Sequence, residues 1–478
     1  MVITQDMYDV CKQSNRNIRI KINILDSNYQ ILDEISGNVI TGNISIDANS
    51  DIRRTCSLSL SVTDDKFTIV SGGEIWFNRY VQIFVGIDKI NTDEIVWINI
   101  GIYLIDAPSW LYDSQSKTLS FNGLDLMSKM TGLRNGNLEG IPVSISSGTN
   151  IREAMISTIT QLGGFSKYAI QDNTRSLPYE IKIDVGGTVY DILSKLRDVY
   201  PMWQIYFDVD GVFHFEEIPI GLNDPVLFDD DLLSPNVLTE NVNVNFEDVK
   251  NVCEVFGKSI NPTYFAQATL INGNTIHVDY PGVTSYDENS IYGFISPSGV
   301  ESLFDINFQI NNLDVKALEP FDNPFDPIRF YALQSNVYYV AKYMVYAGKG
   351  GELNSIGFLG NQTPHYIAED INPNSPFYIN GDIGRVRKVF SGGEYENIYT
   401  VGQVRERADW ELYQHTNLNN SITLSCIPIY FLDVNILGKY TTKFDNTLSE
   451  YIIKSISIDL SEIGTQTINM IKYYPYYE

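Results

Sequence analysis

The chain has 478 residues and a mass of 54.1 kDa, too long for a single core, and its 44% hydrophobic and 19% charged residues make an ordinary globular mixture of three or four domains. No run approaches the ~20 apolar residues of a membrane-spanning helix, and the opening MVITQDMYDVCKQSNR has neither the basic nor the apolar region of a secretory leader. With 33 Lys and Arg against 59 Asp and Glu the net charge is −26, which repels phosphate backbones and excludes a general nucleic-acid binder, though not a protein past which a polyanion slides.

Residues 1–130 read as strands. Asn17–Ile24 alternates polar and apolar residues strictly, and Asp26-Ser27-Asn28 offers a turn. Cys56, Leu58, Leu60 and Val62 alternate with Ser and Thr. Tyr80–Val85 and Thr118–Phe121 are further strands, and Ile95–Ile105 is nearly all apolar, as in a strand covered on both faces. Such spacing predicts a sandwich or small barrel.

Residues 131–235 change texture and predict a small α+β domain. Ile151, Ala154, Met155, Ile159 and Leu162 share one side of a helix that Asn150 and Glu153 open and Gly163-Gly164 end. Thr188 opens a second helix bearing Val189, Ile192, Leu193, Leu196 and Val199, which Pro201 closes. Two aromatic-rich strands then flank Asp210-Gly211, starting at Trp203; the glycine supplies the positive φ of a tight hairpin turn.

Strands return at Asn241–Phe246, Asn251–Gly257 and Gln267–Val278, before a Pro- and Gly-punctuated stretch to about 395 that reads as an inserted β-rich domain. A helix is predicted from Val401 to Leu418, with Val404, Ala408 and Leu412 on its apolar side. Arg405/Asp409 and Arg407/Glu411 are i, i+4 ion pairs expected on its wet side. Ile422–Cys426, Ile452–Ile458 and Thr467–Tyr473 close the chain as strands, and the Tyr-rich end is expected to dock, on this chain or on a neighbour.

Residues that carry chemistry are sparse. Cys11, Cys56, Cys253 and Cys426 are far apart with no C-x-x-C spacing and read as buried free thiols. None of His214, His277, His365 and His415 has a metal-ligand partner at helical spacing, and no G-x-S-x-G elbow occurs. Ala347–Gly351 lacks the spacing of a phosphate loop, and Asp229–Asp231 reads as a solvated linker. Asp208 and Asp210, two apart on one strand, would share a face, but the turn accounts for Asp210 without catalysis.

Several blocks together resemble the phage tail hub, or baseplate hub, family. They are Ile44–Asp47 with Asp51–Leu58, Trp97–Tyr103, Asp125–Leu133, Gly392–Ile398 leading into Arg405–Leu412, Ser421–Leu424 and Tyr451–Ile456. The family is related to the hubs of type VI and contractile injection systems. The resemblance implies a mainly β, multidomain fold with two tail-tube-like domains, each a β-barrel plus helix, and two smaller peripheral domains. The barrels would be residues 1–130 and the discontinuous 236–260 with 396–478; the peripheral domains would be the α+β segment 131–235 and the insertion 261–395. Structural rather than catalytic roles fall to Arg53, Arg54, Gly101, Tyr103, Trp203, Asp210, Gly211, Arg405, Arg407, Trp410, Glu411 and Leu412, with no cofactor or metal.

The same resemblance implies a homotrimer at the distal end of a tail tube, in the virion's tail tip or baseplate. It would adapt a six-fold tube to a three-fold spike or fibre, touch the tube or distal tail protein and the tape-measure protein, and let DNA pass. Three copies would carry −78, three times −26, so a lumen lined with acid would not hold DNA. Two other readings compete: a carbohydrate-binding adhesin, for which the 31 Tyr residues speak, and a cell-wall-degrading tail hydrolase with an unrecognised carboxylate pair.

Overall fold

A computed structural model describes residues 3–258 and 364–474, apart from short stretches within loops, and between 264 and 360 the backbone of strands alone. The protein is mainly β, built of large antiparallel sheets. It divides into two compact units, residues 1–248 with 418–478 and residues 249–417.

The first unit opens with a helix the sequence pattern did not announce, α1 (Gln5–Lys12). The Thr4 side chain caps it by accepting from Met7 N, and it buries only Val10 and Cys11, too few apolar positions to show a period. Seven strands follow: β1 (Ile18–Leu25), β2 (Ile31–Ser36), β3 (Val39–Asp47), β4 (Arg54–Ser61), β5 (Tyr80–Asp88), β6 (Ile95–Tyr112) and β7 (Lys117–Leu124). Alternation works as expected in β4, where Cys56, Leu58 and Leu60 point into the core. In β6 the run from Ile98 to Ile105 is mostly buried, and Ala107, at φ 44°, marks where the strand leaves β5 behind.

The α+β segment holds β8 (Val143–Ile145), α2 (Ile151–Ser157), β9 (Tyr168–Ile170), β10 (Ile181–Ile183), α3 (Val189–Arg197), β11 (Trp203–Phe207) and β12 (Phe213–Glu217). The Asn150 side chain accepts from Glu153 N, and α2 runs on as a π-turn to Leu162. Thr188 and Asp191 form a reciprocal capping box on α3. Met155, Ile159, Ile192, Leu196, Phe213 and Phe215 build its core.

After β13 (Val226–Phe228), α4 (Asp230–Leu233) and β14 (Val237–Asn245), the chain enters the second unit. That unit has β15 (Val252–Phe256), two five-stranded sheets of β16 to β25 between Tyr264 and Gly360, β26 (His365–Glu369), β27 (Arg387–Phe390) and α5 (Val401–His415). Gln267–Val278, expected as one strand, is a hairpin whose arms end at Asn272 and resume at Thr275. The Gly-rich Gly348–Gly351 and the side chain of His277 lie outside the described residues. Val404 and Ala408 of α5 are fully buried against β15 and β26, with Leu412 packed beside them.

The first unit ends with β28 (Asn419–Cys426), β29 (Leu437–Thr441), β30 (Leu448–Asp459) and β31 (Gln466–Lys472). These strands and the first seven form one thirteen-stranded sheet with β13 and β14, in the order β14-β28-β31-β30-β3-β4-β7-β6-β5-β1-β2, with β29 and β13 branching from β30. One succession occurs twice along it. β3 pairs with β4, β4 with β7, β7 with β6 and β6 with β5; β14, β28, β31, β30 and β29 pair in the same sequence. Both hairpins carry a bulge at the same place, between Val39 and Thr41 and between Val237 and Thr239. Aligned on those bulges, VITGNISID of β3 stands beside VLTENVNVN of β14. The two sets join where Asn43–Asp47 of β3 pairs with Ser455–Asp459 of β30, burying Ile44, Ile46, Ile456 and Ile458. Tyr473 then docks on its own chain, its hydroxyl donating to Gly221 O at 2.8 Å.

Candidate functional site: a buried arginine junction

The sheet that joins the two strand sets also carries a cluster of largely buried polar side chains from five stretches of the first unit. Arg53 and Arg54, at the start of β4, are both buried. Arg53 Nη2 donates to Gln204 Oε1 at 2.6 Å, and its guanidinium lies 3.9 Å from the centre of the Tyr206 ring. The same Gln204 oxygen accepts from Asn435 Nδ2 at 2.7 Å. Arg54 donates to the carbonyl of Phe207 and forms an ion pair with Asp433. Its backbone N–H donates to Asp125 Oδ2 at 2.9 Å, and Asp125 also caps the turn at Met127 N. β4, β11 and the loop before β29 are thus held by two adjacent arginines.

Burial sets the electrostatics. It pulls Arg53 below its ordinary value and pushes Asp125 up to about 6, although the N–H groups of Arg54 and Met127 resist. Burial also weakens Arg54, but Asp433, Tyr103, Asp125 and Tyr206 together outweigh it and hold Arg54 above its ordinary value. Lys454 Nζ donates to Asn435 Oδ1 at 3.1 Å; burial, with Arg53 nearby, pushes it down to about 8.

A second grip comes from β6. Ile83 faces Gly101 while Phe84 faces Asn99, so Ile100 is the extra residue of a bulge. The Tyr103 hydroxyl donates to Ile100 O at 2.9 Å, and Asn99 Nδ2 donates to Val209 O and Asp210 Oδ1 at 2.9 and 2.8 Å. Asp210 and Gly211 (φ 72°) sit in the β11–β12 loop, and the Trp203 ring lies tilted against Phe215, 4.6 Å between centroids. Asp208 and Asp210 do not share a strand face: both lie in the loop, where Asp208 Oδ1 accepts from the N–H groups of Asp210 and Val212. The other Asp208 oxygen and Glu216 each lie 3.3 Å from a nitrogen of His214. Burial lowers His214, but these two carboxylates prevail and push it up to about 9.

The remaining predicted residues belong to the second unit. Arg405 is exposed, 3.7 Å from Asp409. Arg407 and Glu411 are not on a wet side, because the turn Gly393–Asn397 folds over them: Arg407 contacts Glu411 at 2.8 Å and Glu394 at 2.6 Å, and the Tyr395 hydroxyl donates to Glu411 at 2.8 Å. Trp410 is buried beside Tyr413, and Leu412 packs on the helix's apolar side. Sequence reasoning missed Asn99, Asp125, Gln204, Asp433, Asn435 and Lys454 as members of the junction. Asn99 alone carried a signal, as the one polar residue within an apolar run.

Chemically the cluster is a joint. Its arginines, carboxylates and amides bond mainly to one another and to backbone groups, with Arg54 Nε buried without a hydrogen-bond partner, and among the described residues no group of three or more His, Cys, Asp or Glu could hold a metal ion. All four cysteines are buried and free.

A family described only as a domain of unknown function, DUF5048, matches residues 374–477. None of the curated proteins matches the chain. Among solved structures, the 43 kDa tail protein of prophage MuSo2 from Shewanella oneidensis superposes with a TM-score of 0.53 at 10% identity, over 96% of this chain and 98% of that one. The tail protein from Neisseria meningitidis MC58 gives 0.51, also at 10% identity, over 95% and 96%. At that identity the likeness is one of fold, and it runs over nearly the whole of each chain.

Proposed function

We propose that this chain, which has the fold of phage tail proteins, is a structural hub at the distal end of a tail tube. In this reading three copies form a ring, each giving two tail-tube-like modules, so six modules meet the tube above while three-fold symmetry faces a spike or fibre below. The modules are residues 1–130 and, within 236–260 and 396–478, the strands β14 and β28 to β31. Segments 131–235 and 261–395 lie at the periphery. The tape-measure protein and, on ejection, DNA use the central opening.

One observation carries the reading: the strand succession that occurs twice in one sheet, with matching bulges and matching hairpin sequences. Two like modules on one polypeptide are what a three-copy ring needs in order to present six equivalent positions. The junction of Arg53, Arg54 and Asp433 suits this role, because it fixes the two strand sets and the α+β segment against one another. The acidic charge suits a lumen that DNA crosses without adhering.

The reading predicts that the purified chain, alone or with its tail partners, assembles to about 162 kDa, three times 54.1 kDa, by multi-angle light scattering. A particle of two or four copies would overturn it.

A further inference from the structure

We infer that β14 of one copy pairs with the last part of β6 in the next copy, repeating between chains the β3–β30 junction made within the chain. The argument starts from edges. Tyr451 and Ile452 of β30 pair with both β29 and β31, so those two neighbours lie on opposite edges. β29 stops there, and β3 takes over its edge from Ser455 to Asp459. In β6, Leu104 likewise pairs with both β5 and β7, and β5 stops there. From Asp106 to Tyr112, β6 keeps β7 on one edge, and among the described residues no strand occupies the other. Among the described residues β14, the counterpart of β3, pairs with β28 alone and ends the sheet.

The ladders set the register. Across the first set, Val39 faces Leu60, Leu60 faces Leu119 and Leu119 faces Trp110. Across the second, Val237 faces Cys426, Cys426 faces Gln466 and Gln466 faces Ile458. Trp110 therefore stands where Ile458 stands, and Val242 and Val244 stand where Ile44 and Ile46 do. The pairs Ile44–Ile458 and Ser45–Ser457 become Val242–Trp110 and Asn243–Ser109 between copies. Pro108, which stands opposite Val244 in this register, carries no N–H and so adds no donor of its own to the ladder.

Exposure follows the same logic. Ile46 is 4% exposed inside its junction, whereas its counterpart Val244 is 44% exposed; Leu111 and Tyr112 on the open end of β6 are 64% and 69% exposed. Two open edges with large apolar residues are a liability unless something covers them. The occupant is a second copy, because the chain already makes this contact once, through the equivalent strands of its own two modules. A head-to-tail contact of this kind leaves the same two edges on every added copy and ends only by closing a ring.

The pairing deepens the ring reading and relies on it only for the number three. The test is the full chain carrying Ser109→Cys and Asn243→Cys, both exposed positions, oxidised and run without reductant. We expect covalent products of two and three chains and none larger, with neither single variant nor the wild-type chain cross-linking. A protein that light scattering shows assembled but that yields no cross-link would overturn the pairing and leave the ring standing. Products longer than three chains would support the pairing and contradict the three-fold count. A chain that stays single and uncross-linked, with its tail partners present, would overturn both.

Discussion

Gly101 stands in a conformation, φ 143°, that side-chain-bearing residues rarely adopt, and an added Cβ would come within 2.8 Å of the buried Tyr103 ring. Gly101→Ala should cost roughly 2–3 kcal/mol in urea unfolding, because strain and crowding act together. Asp433→Asn would leave the buried Arg54 charge without its counter-ion, and a loss of about 3 kcal/mol is expected by the same measurement. His214 supplies a pH signature. Its folded value, about 9, lies above the ordinary value of ~6.5, so its contribution is full below the lower value and is lost as pH rises through the higher. The stability of the wild-type chain relative to His214→Gln should therefore fall between those limits; a flat difference would remove the ion pairs with Asp208 and Glu216 from the account.

At the scale of elements, the β3–β30 ladder is the contact on which the continuous sheet depends. Ile456→Ala removes a buried branched side chain there and should cost roughly 2–4 kcal/mol, read from denaturant midpoints. β4, with one buried face, was legible in the alternation of Cys56 to Val62, and β1 in that of Asn17–Ile24, although β1 is buried on both faces from Ile22 to Leu25. So were α3, through Thr188, and the β11–β12 hairpin, through Gly211. β2, β3 and β29 were not, since short or bulged strands show too little period. The Val-x-Thr-x-Asn pattern shared by β3 and β14 stood in the sequence unread: β14 meets its hairpin partner β28 only across the whole second unit, and such separation hides a hairpin. The junction was half legible. Arg53 and Arg54 lay in a recognisable block, but Asp433 and Asn435 come from a loop without pattern, and only the folded sheet brings them near. Arg407 and Glu411 show the converse case, a helical ion-pair spacing that a neighbouring turn buries.

For the whole molecule, the repeated strand succession gives the first unit two like strand sets, and the two open edges offer a way for those sets to continue into another copy. Charge adds a constraint at this scale: in the proposed ring three copies would bring −78, and the lining of its opening should be net acidic, which a charge map of the assembled particle would check. The most direct test images the assembled particle end-on by electron microscopy, with the chain labelled. The account predicts three copies that present six like modules around an opening through which duplex DNA fits. A closed axis, or one such module per chain, would contradict it.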